Sequence, residues 1–301
     1  MTLETNLCGL MLQNPLIAAS GTFGYGKEFS PYVNLNELGA MCSKGITLNP
    51  RPGNAGVRMW ETPSGMMNSI GLQNPGIQHF IDHELKMMRK FKSTVIANLG
   101  GGSVEEYVGG ATLLDCADID MIELNISCPN VREGGVAFGI KAEIAHEVVS
   151  AVRAATTKPL MVKLSPNAEN ITEMAKACVA AGADALSLIN TLVGMAIDVY
   201  KRKPVFNNTV AGLSGPAVRP VALRMVYEVV RAVDVPVVGL GGIMCGQDVV
   251  EFIMAGATAV QIGTGNLVQP NLMGQILAEL TEFMQQNDIE SLDEIRGCAQ
   301  R

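Results

Sequence analysis

Cys128 stands in a segment whose residue types suit proton abstraction. Residues 125–130 read NISCPN and directly follow a short apolar run. A free thiol has a pKa of about 8.5, so a modest shift by its surroundings would suit a general base at neutral pH. A covalent nucleophile would need an adjacent base, and His79, His83 and His146 all fall in predicted surface helices. The residues alone leave a catalytic thiol and an ordinary loop thiol as equal alternatives.

Polar or small residues stand at the ends of eight short apolar runs. They are Ser20, Lys44, Asn98, Asn125, Lys163, Asn190 with Thr191, Gly241 with Gly242, and Gly263 with Thr264. In a barrel of parallel strands the carboxyl ends meet at one face, and that face carries the active site. Any one of these residues could simply make a turn, as Asn and Gly often do. Eight such ends together favour a polar site for a flat ligand that is rich in heteroatoms.

Two glycine turns and two lysines make this prediction more specific. Residues 239–243 (GLGGI) and 263–265 (GTG) close the last two runs, where glycine lets backbone N–H groups approach a phosphate. The alternative is that these glycines only permit tight turns. Lys44 and Lys163 each end an apolar run, and a buried ammonium needs an anionic partner or a lowered pKa, unless it reaches the rim. We interpret one lysine as the partner of a substrate carboxylate and the other as the partner of an electron-rich cofactor ring.

The elements that position these residues follow a regular alternation. Strands are predicted at residues 16–19, 40–44, 94–98, 121–126, 160–164, 185–189, 235–240 and 259–263. Helical spacing of apolar residues separates several of them, and continuously apolar strands are typical of parallel sheets that are buried on both faces. Eight such units predict a (β/α)8 TIM barrel, with a doubly wound sheet as the alternative. Residues 45–80 and 190–217 interrupt the alternation and are predicted to be functional loops.

Composition excludes several classes of function. The chain has 301 residues, 48% of them hydrophobic and 17% charged, with a net charge of −7. This balance fits a compact enzyme and makes a nucleic-acid partner unlikely on electrostatic grounds. We predict no signal peptide and no membrane helix. The seven cysteines show no clustered spacing, which predicts no metal site and indicates reduced thiols in a cytoplasm. The six other than Cys128 are interpreted mostly as small core residues.

Taken together, these motifs resemble the class 1 dihydroorotate dehydrogenases over nearly the whole chain. The resemblance rests on residues 19–24 (ASGTFG), 43–47 (SKGIT), 68–76 (NSIGLQNPG), 125–130 (NISCPN), 162–166 (VKLSP), 189–191 (INT) and 213–216 (LSGP), and on the two glycine turns. Each motif alone is weak, and the set is very specific.

The resemblance implies a bound FMN and a dihydroorotate site. The implied FMN contacts are Ser20, Lys44, Gly45, Asn98, Asn125, Lys163, Ile189, Gly215, Gly241, Gly242, Gly263 and Thr264. The implied dihydroorotate contacts are Lys44, Asn68, Ser69, Ile70, Gly71, Leu72, Asn125, Asn190 and Thr191. By the same resemblance, Cys128 is the catalytic base that takes the C5 proton of dihydroorotate, while FMN accepts the hydride from C6.

The resemblance also suggests a subclass. Membrane-bound class 2 enzymes use serine as the base, whereas this chain has Cys128, and residues 21–26 and 70–76 look more like class 1B than class 1A. Class 1B implies a partner subunit that carries FAD and an iron–sulfur cluster and passes electrons to NAD. It also implies a homodimer of this chain, with residues 1–301 forming a single FMN-binding barrel.

Three alternatives stay open from the sequence. One is a class 1A homodimer that reduces fumarate, and another is a related flavin barrel acting on a different dihydropyrimidine. The third is an FMN-binding subunit without catalytic activity. Lys44 favours a carboxylated ring, because an uncharged pyrimidine would leave a buried ammonium unpaired. Intact Cys128, Lys44 and Lys163 speak against a subunit without activity.

Overall fold

Eight parallel strands close into a barrel. The computed structural model describes residues 1–126 and 138–300. The barrel strands are β3 (Leu16–Ala18), β4 (Ala40–Cys42), β7 (Thr94–Leu99), β8 (Met121–Asn125), β9 (Leu160–Lys163), β10 (Ala185–Leu188), β15 (Val237–Leu240) and β16 (Ala259–Ile262). They pair in chain order, and β16 pairs with β3 to close the ring. The prediction of a (β/α)8 barrel is therefore confirmed.

The barrel strands are buried on both faces, which explains why most of their residues are apolar. Every residue of β4, β8, β9, β10, β15 and β16 is buried. Each predicted strand overlaps an observed one, and the differences fall at the ends. The predicted strand 40–44, for example, stops at Cys42, so Lys44 lies just beyond the sheet.

Helices surround the barrel and shield its outer face. They are α1 (Ile77–His79), a π-helical turn (Phe80–Glu84), α2 (Leu85–Met88), α3 (Val104–Asp115), α4 (Ala142–Ala154), α5 (Ile171–Ala180), α6 (Arg219–Val230), α7 (Gly246–Met254), α8 (Thr264–Val268) and α9 (Leu272–Gln286), with short 3-10 turns at Leu35–Glu37, Pro216–Val218 and Leu292–Glu294. His79, His83 and His146 are exposed on these helices, as predicted. Within the described ranges, no helix has both the length and the apolar character that crossing a bilayer requires.

A hairpin closes the amino-terminal end of the barrel. Its strands are β1 (Thr5–Leu7) and β2 (Leu10–Leu12), which pair antiparallel. Leu7 and Leu12 are buried in one cluster with Ala40, Ala185 and Ala259, the first residues of three barrel strands. The opposite, carboxyl-terminal end is therefore the one left for a ligand.

A second sheet stands over the carboxyl-terminal end. Its strands are β5 (Met59–Thr62), β6 (Gly65–Asn68), β11 (Leu192–Met195) and β14 (Val210–Ser214), and a separate two-stranded pair is formed by β12 (Ile197–Asp198) and β13 (Lys203–Pro204). The four-stranded sheet has the order β11-β14-β6-β5 and is antiparallel throughout. The prediction of loops at residues 45–80 and 190–217 was wrong for these parts. The two segments form one sheet, because β6 from the first segment pairs with β14 from the second.

Candidate active site

A cavity of about 270 Å³ opens between the carboxyl end of the barrel and the four-stranded sheet. All the residues that were predicted to contact FMN or dihydroorotate line it. Cys128 lies outside the described residues. The lining set includes Ser20, Lys44, Gly45, Asn68, Ser69, Ile70, Gly71, Leu72, Asn98, Asn125, Lys163, Ile189, Asn190, Thr191, Gly215, Gly241, Gly242, Gly263 and Thr264. The cavity thus unites strand ends that are far apart in the sequence.

Parallel register explains how the polar residues reach the cavity. Asn125 is the last residue of β8 and lies opposite Lys163, the last residue of β9. Asn98 on β7 lies opposite Glu123 on β8, one layer deeper in the barrel. Lys163 is only 4% exposed and Asn98 is fully buried. These groups must therefore find their partners inside the protein or in a ligand.

Glu123 is a buried carboxylate beneath the cavity floor. It accepts hydrogen bonds from Asn98 Nδ2 at 2.6 Å, Gln261 Nε2 at 2.5 Å and Ser187 Oγ at 2.9 Å. Its Oε2 lies 3.7 Å from Lys163 Nζ. Burial alone would raise the pKa of Glu123, but the Lys163 ammonium and these hydrogen bonds outweigh burial and lower it. The group is therefore an ionised carboxylate at neutral pH.

Lys163 is held by long contacts around this carboxylate. Its Nζ lies 3.3 Å from Ser20 Oγ and 3.4 Å from Gln261 Oε1. An ammonium carries three donors, and contacts of this length satisfy them weakly. The lysine therefore retains capacity for a strong acceptor placed in the cavity that it lines.

Lys44 lies on another wall of the cavity, next to a second cation. Burial, followed by the nearby Arg58 guanidinium, lowers the pKa of Lys44, and Glu28 opposes the shift. Arg58 is fixed by its hydrogen bonds to the Asn54 carbonyl at 2.7 Å and to Gln73 Oε1 at 2.6 Å. An anion bound beside Lys44 would offset both burial and cationic repulsion, so this wall suits a carboxylate.

Glycines make the wall of the last two barrel strands. Gly241 and Gly242 have φ of 131° and 76°, in the region that L side chains rarely adopt. A Cβ on Gly242 would lie 2.9 Å from the Gly215 carbonyl oxygen, and one on Gly241 would lie 2.7 Å from Ala222 Cβ. Nearby, Thr264 Oγ1 donates to Ser214 Oγ at 2.8 Å. Both positions therefore require glycine, so this part of the cavity wall is backbone without side chains.

One polar atom in this region has no partner among the described residues. Asn98 Oδ1 is buried without a hydrogen bond, although Nδ2 of the same amide is bonded to Glu123. A Cβ built on the cavity-lining Gly45 would lie 3.0 Å from Asn98 Oδ1. An unpaired buried acceptor is costly, so its position beside the cavity points to a ligand donor.

The four-stranded sheet of β11, β14, β6 and β5 covers the cavity and is called the roof sheet below. Asn190 Nδ2 lies 3.4 Å from Asn125 Oδ1, which links the end of β10 to the end of β8. Asn68 Nδ2 donates to the Gly212 carbonyl at 3.5 Å, a long bond across the roof sheet. Residues 68–72 return from β6 to the barrel mouth and use positive φ at Gly71 and Leu72. The roof and the barrel therefore both contribute polar groups to the cavity.

The predicted site residues left out part of the lining, including residues that stand inside the quoted motifs. The additional residues are Ala19, Gly21, Thr22, Met59, Met66, Gly212, Leu213, Ser214, Val218, Leu240, Ile243, Gly265 and Leu267. Several come from the roof sheet, whose clearest signal was the hairpin of β5 and β6 around residues 63–64. Glu123 was also missed, and its signal was a lone acidic residue inside an apolar strand.

The interpretation of the other cysteines was only partly right. Cys42 and Cys178 are buried, in agreement with a core role. Cys116 and Cys298 are exposed, while Cys8 and Cys245 are intermediate. An apolar or helical neighbourhood in the sequence therefore did not predict burial, because a helix has a solvent face as well as a core face.

Comparisons with known proteins agree with the motifs. The family model described as dihydroorotate dehydrogenase matches residues 2–284. The chain is 56% identical over 294 residues to a protein of Petrotoga mobilis, covering 98% of each chain. It is 49% identical over 297 residues to a protein of Alkaliphilus metalliredigens, covering 99% of this chain and 98% of the relative. Both relatives are named dihydroorotate dehydrogenase B (NAD(+)), catalytic subunit. The chain therefore belongs to the dihydroorotate dehydrogenase family.

Proposed function

We propose that this chain is the catalytic, FMN-binding subunit of an NAD-linked dihydroorotate dehydrogenase in pyrimidine biosynthesis. It oxidises dihydroorotate to orotate. The observation that carries the proposal is the cavity, which joins two lysines, four asparagine amides and a bare glycine backbone at one end of the barrel. Family membership and the names of the relatives support the same reaction.

The residues of the cavity fit FMN. The unpaired Asn98 Oδ1 offers an acceptor for a ring N–H, and Lys163 offers a cation for the electron-rich part of the ring. The bare backbone at Gly241 and Gly242 suits a phosphate, as does the amino end of α8 at Gly263 and Thr264. When bound, FMN supplies the hydride acceptor of the reaction.

The FMN contacts form one group of proposed site residues. They are Ser20, Lys44, Gly45, Asn98, Asn125, Lys163, Ile189, Gly215, Gly241, Gly242, Gly263 and Thr264. In this arrangement the deep polar floor holds the ring system and the glycine wall holds the phosphate. The barrel interior below the floor is packed, so the ligand is confined to the carboxyl end.

The dihydroorotate contacts form a second group. They are Lys44, Asn68, Ser69, Ile70, Gly71, Leu72, Asn125, Asn190 and Thr191. Lys44 pairs with the substrate carboxylate, which explains why a half-buried lysine lies beside Arg58. The amides of Asn68, Asn125 and Asn190 match the alternating donors and acceptors of the pyrimidine ring, and together they fix its orientation.

Cys128 is the proposed base. Its position in the sequence is three residues beyond Asn125, the last residue of β8 and a lining residue of the cavity. In the proposed mechanism its thiolate takes the C5 proton of dihydroorotate. A thiol needs only a modest shift of its pKa by its surroundings to suit this role at neutral pH. The proposed mechanism assigns proton transfer to Cys128, and orientation to Lys44 and the amides.

Electrons leave through a partner in this proposal. The relatives are named catalytic subunits of NAD-linked enzymes, which supports a second subunit that carries FAD and an iron–sulfur cluster. A homodimer of this chain, one FMN-binding unit spanning residues 1–301, and a cytoplasmic location belong to the same proposal. The scattered cysteines support a location with reduced thiols.

Anaerobic reduction of the purified chain tests the function. Dihydroorotate should bleach the visible absorbance of the FMN-loaded chain, and NAD should restore it only after the partner subunit is added. Recovery with fumarate alone would instead assign the class 1A reaction. Bound FMN that dihydroorotate never bleaches would overturn the substrate assignment, and dihydrouracil would then be the next compound to test.

A further inference from the structure

We propose that Glu123 is a positioning residue for the FMN face of the cavity. It keeps Lys163 as an ammonium and turns the amide oxygen of Asn98 toward the ligand. This inference rests on the proposed function, because it concerns groups that would contact FMN. Glu123 itself is fully buried and does not line the cavity, so it acts only through its neighbours.

The first argument concerns the orientation of the Asn98 amide. An ionised carboxylate only accepts hydrogen bonds, and Glu123 Oε2 lies 2.6 Å from one end of that amide. The nitrogen must therefore face Glu123, which leaves the oxygen on the opposite side, beside Gly45. Without the charge on Glu123 the amide could rotate by 180° and present a donor where the ligand requires an acceptor.

The second argument concerns the charge on Lys163. The titratable groups that face it within the described ranges are Glu123 on β8 and Cys42 on β4. Burial, and then Glu123, raise the pKa of the Cys42 thiol well above its ordinary value, so that thiol stays neutral. Glu123 is thus the counter-charge that offsets the burial of the ammonium.

A purely structural role explains Glu123 poorly. The inward-facing neighbours Ile96, Met121 and Met161 pack as apolar residues at the level below. A buried ion pair contributes little to stability compared with apolar residues of similar size. Both oxygens of the carboxylate also contact polar groups. Two of these groups, Asn98 and Lys163, line the cavity. This arrangement fits a group that sets the charge of Lys163 and the orientation of the Asn98 amide at the cavity floor.

The affinity for oxidised FMN as a function of pH tests the proposal. Glu123→Gln keeps the shape of the side chain and removes its charge. Lys163 then loses the carboxylate that offsets the burial of its ammonium, so the charged form of the lysine becomes less favourable. We expect the ratio of FMN dissociation constants, variant over wild type, to rise about tenfold as the pH is raised, because one charged hydrogen bond is lost. Fluorescence quenching of FMN measures this ratio without any turnover.

Two further variants separate electrostatics from packing. In the double variant Glu123→Gln with Gln261→Glu, a carboxylate returns at a side chain that already lies 3.4 Å from Lys163 Nζ. This exchange should restore the pH profile of the wild type. Ser187→Ala removes a hydrogen bond to Oε1 of Glu123 without changing its charge, and Ser187 does not line the cavity. It should keep the wild-type profile even if the protein melts earlier.

The outcomes distinguish this inference from the proposed function. If the wild-type chain binds no FMN, the proposed function fails. The positioning role is wrong if the wild type binds FMN and the ratio of the dissociation constants of Glu123→Gln and wild type is the same at every pH. In that case the exchanged variant also shows no recovery of FMN affinity. If the FMN affinity of Glu123→Gln falls toward that of Lys163→Met as the pH rises, and the exchanged variant recovers it, the positioning role is supported.

Discussion

The glycine wall of the cavity allows a quantitative prediction for Gly242→Ala. Gly242 has φ of 76°, and an added Cβ would lie 2.7 Å from Arg219 Cβ and 2.9 Å from both Arg219 N and the Gly215 carbonyl oxygen. Two of these three atoms are backbone. Arg219 is also held by ion pairs to Asp248 and Glu251. The neighbours therefore cannot move aside at low cost.

The expected loss of stability has two parts. A left-handed backbone costs a non-glycine residue roughly 1–2 kcal/mol. Forcing a methyl group into a packed region costs roughly another 1–3 kcal/mol. The total is roughly 2–5 kcal/mol. An unfolding entropy of about 2.1 cal/mol/K per residue, applied to 301 residues, converts this into a fall in Tm of about 3–8 °C.

Gly9→Ala is the matched control. Gly9 has φ of 84°, and nothing lies within 4 Å of its added Cβ. Gly9→Ala should lose only the stability that a left-handed backbone costs a non-glycine residue, which corresponds to a fall in Tm of about 2–3 °C. It should keep its affinity for FMN. Thermal unfolding of the FMN-free proteins, with FMN titrations of the same samples, measures both effects. Equal losses of Tm in the two variants would refute the packing argument. Intact FMN affinity in Gly242→Ala would refute the proposed close approach of ligand to backbone.

Two other substitutions test the proposed chemistry. Cys128→Ala should retain FMN but slow the reduction of FMN by dihydroorotate about 10²–10⁴-fold in single-turnover experiments, the usual contribution of a general base; reduction at the normal rate would remove Cys128 from that role. Lys44→Met should weaken orotate binding about tenfold, because a hydrogen-bonded charge pair is lost. Since the pKa of Lys44 is lowered, its ammonium is present at low pH and is lost as pH rises through that lowered value. Orotate affinity should therefore fall with rising pH in the wild type at a lower pH than an ordinary lysine would give, and this step should be missing in Lys44→Met.

The barrel was predictable because its physical signal is local. Strands such as β4 and β15 are buried on both faces, so each is a short unbroken apolar run. Parallel strands also place their carboxyl ends at one face, and this rule alone gathers Lys44, Asn98 and Lys163 into one predicted site. The family motifs extended the same prediction to residues 68–72, where the strand-end rule does not apply.

The roof sheet was less predictable. Its strands are four or five residues long, half exposed and rich in Gly and Met. The pairing of β6 with β14 joins residues about 145 positions apart, and no local pattern records such a partner. Cys128 lies outside the described residues, so its role stays a prediction.

The sequence by itself determined the family, the barrel and the polar strand ends, because these depend on residue types and on short-range periodicity. Only the tertiary structure decided that Glu123 lies under Asn98 and Lys163, and that the Asn98 oxygen lacks a partner. It also decided that burial, followed by the nearby Arg58 guanidinium, lowers the pKa of Lys44. The charge state and the direction of a polar group depend on burial and on neighbours brought from distant strands, and these exist only once the barrel has closed.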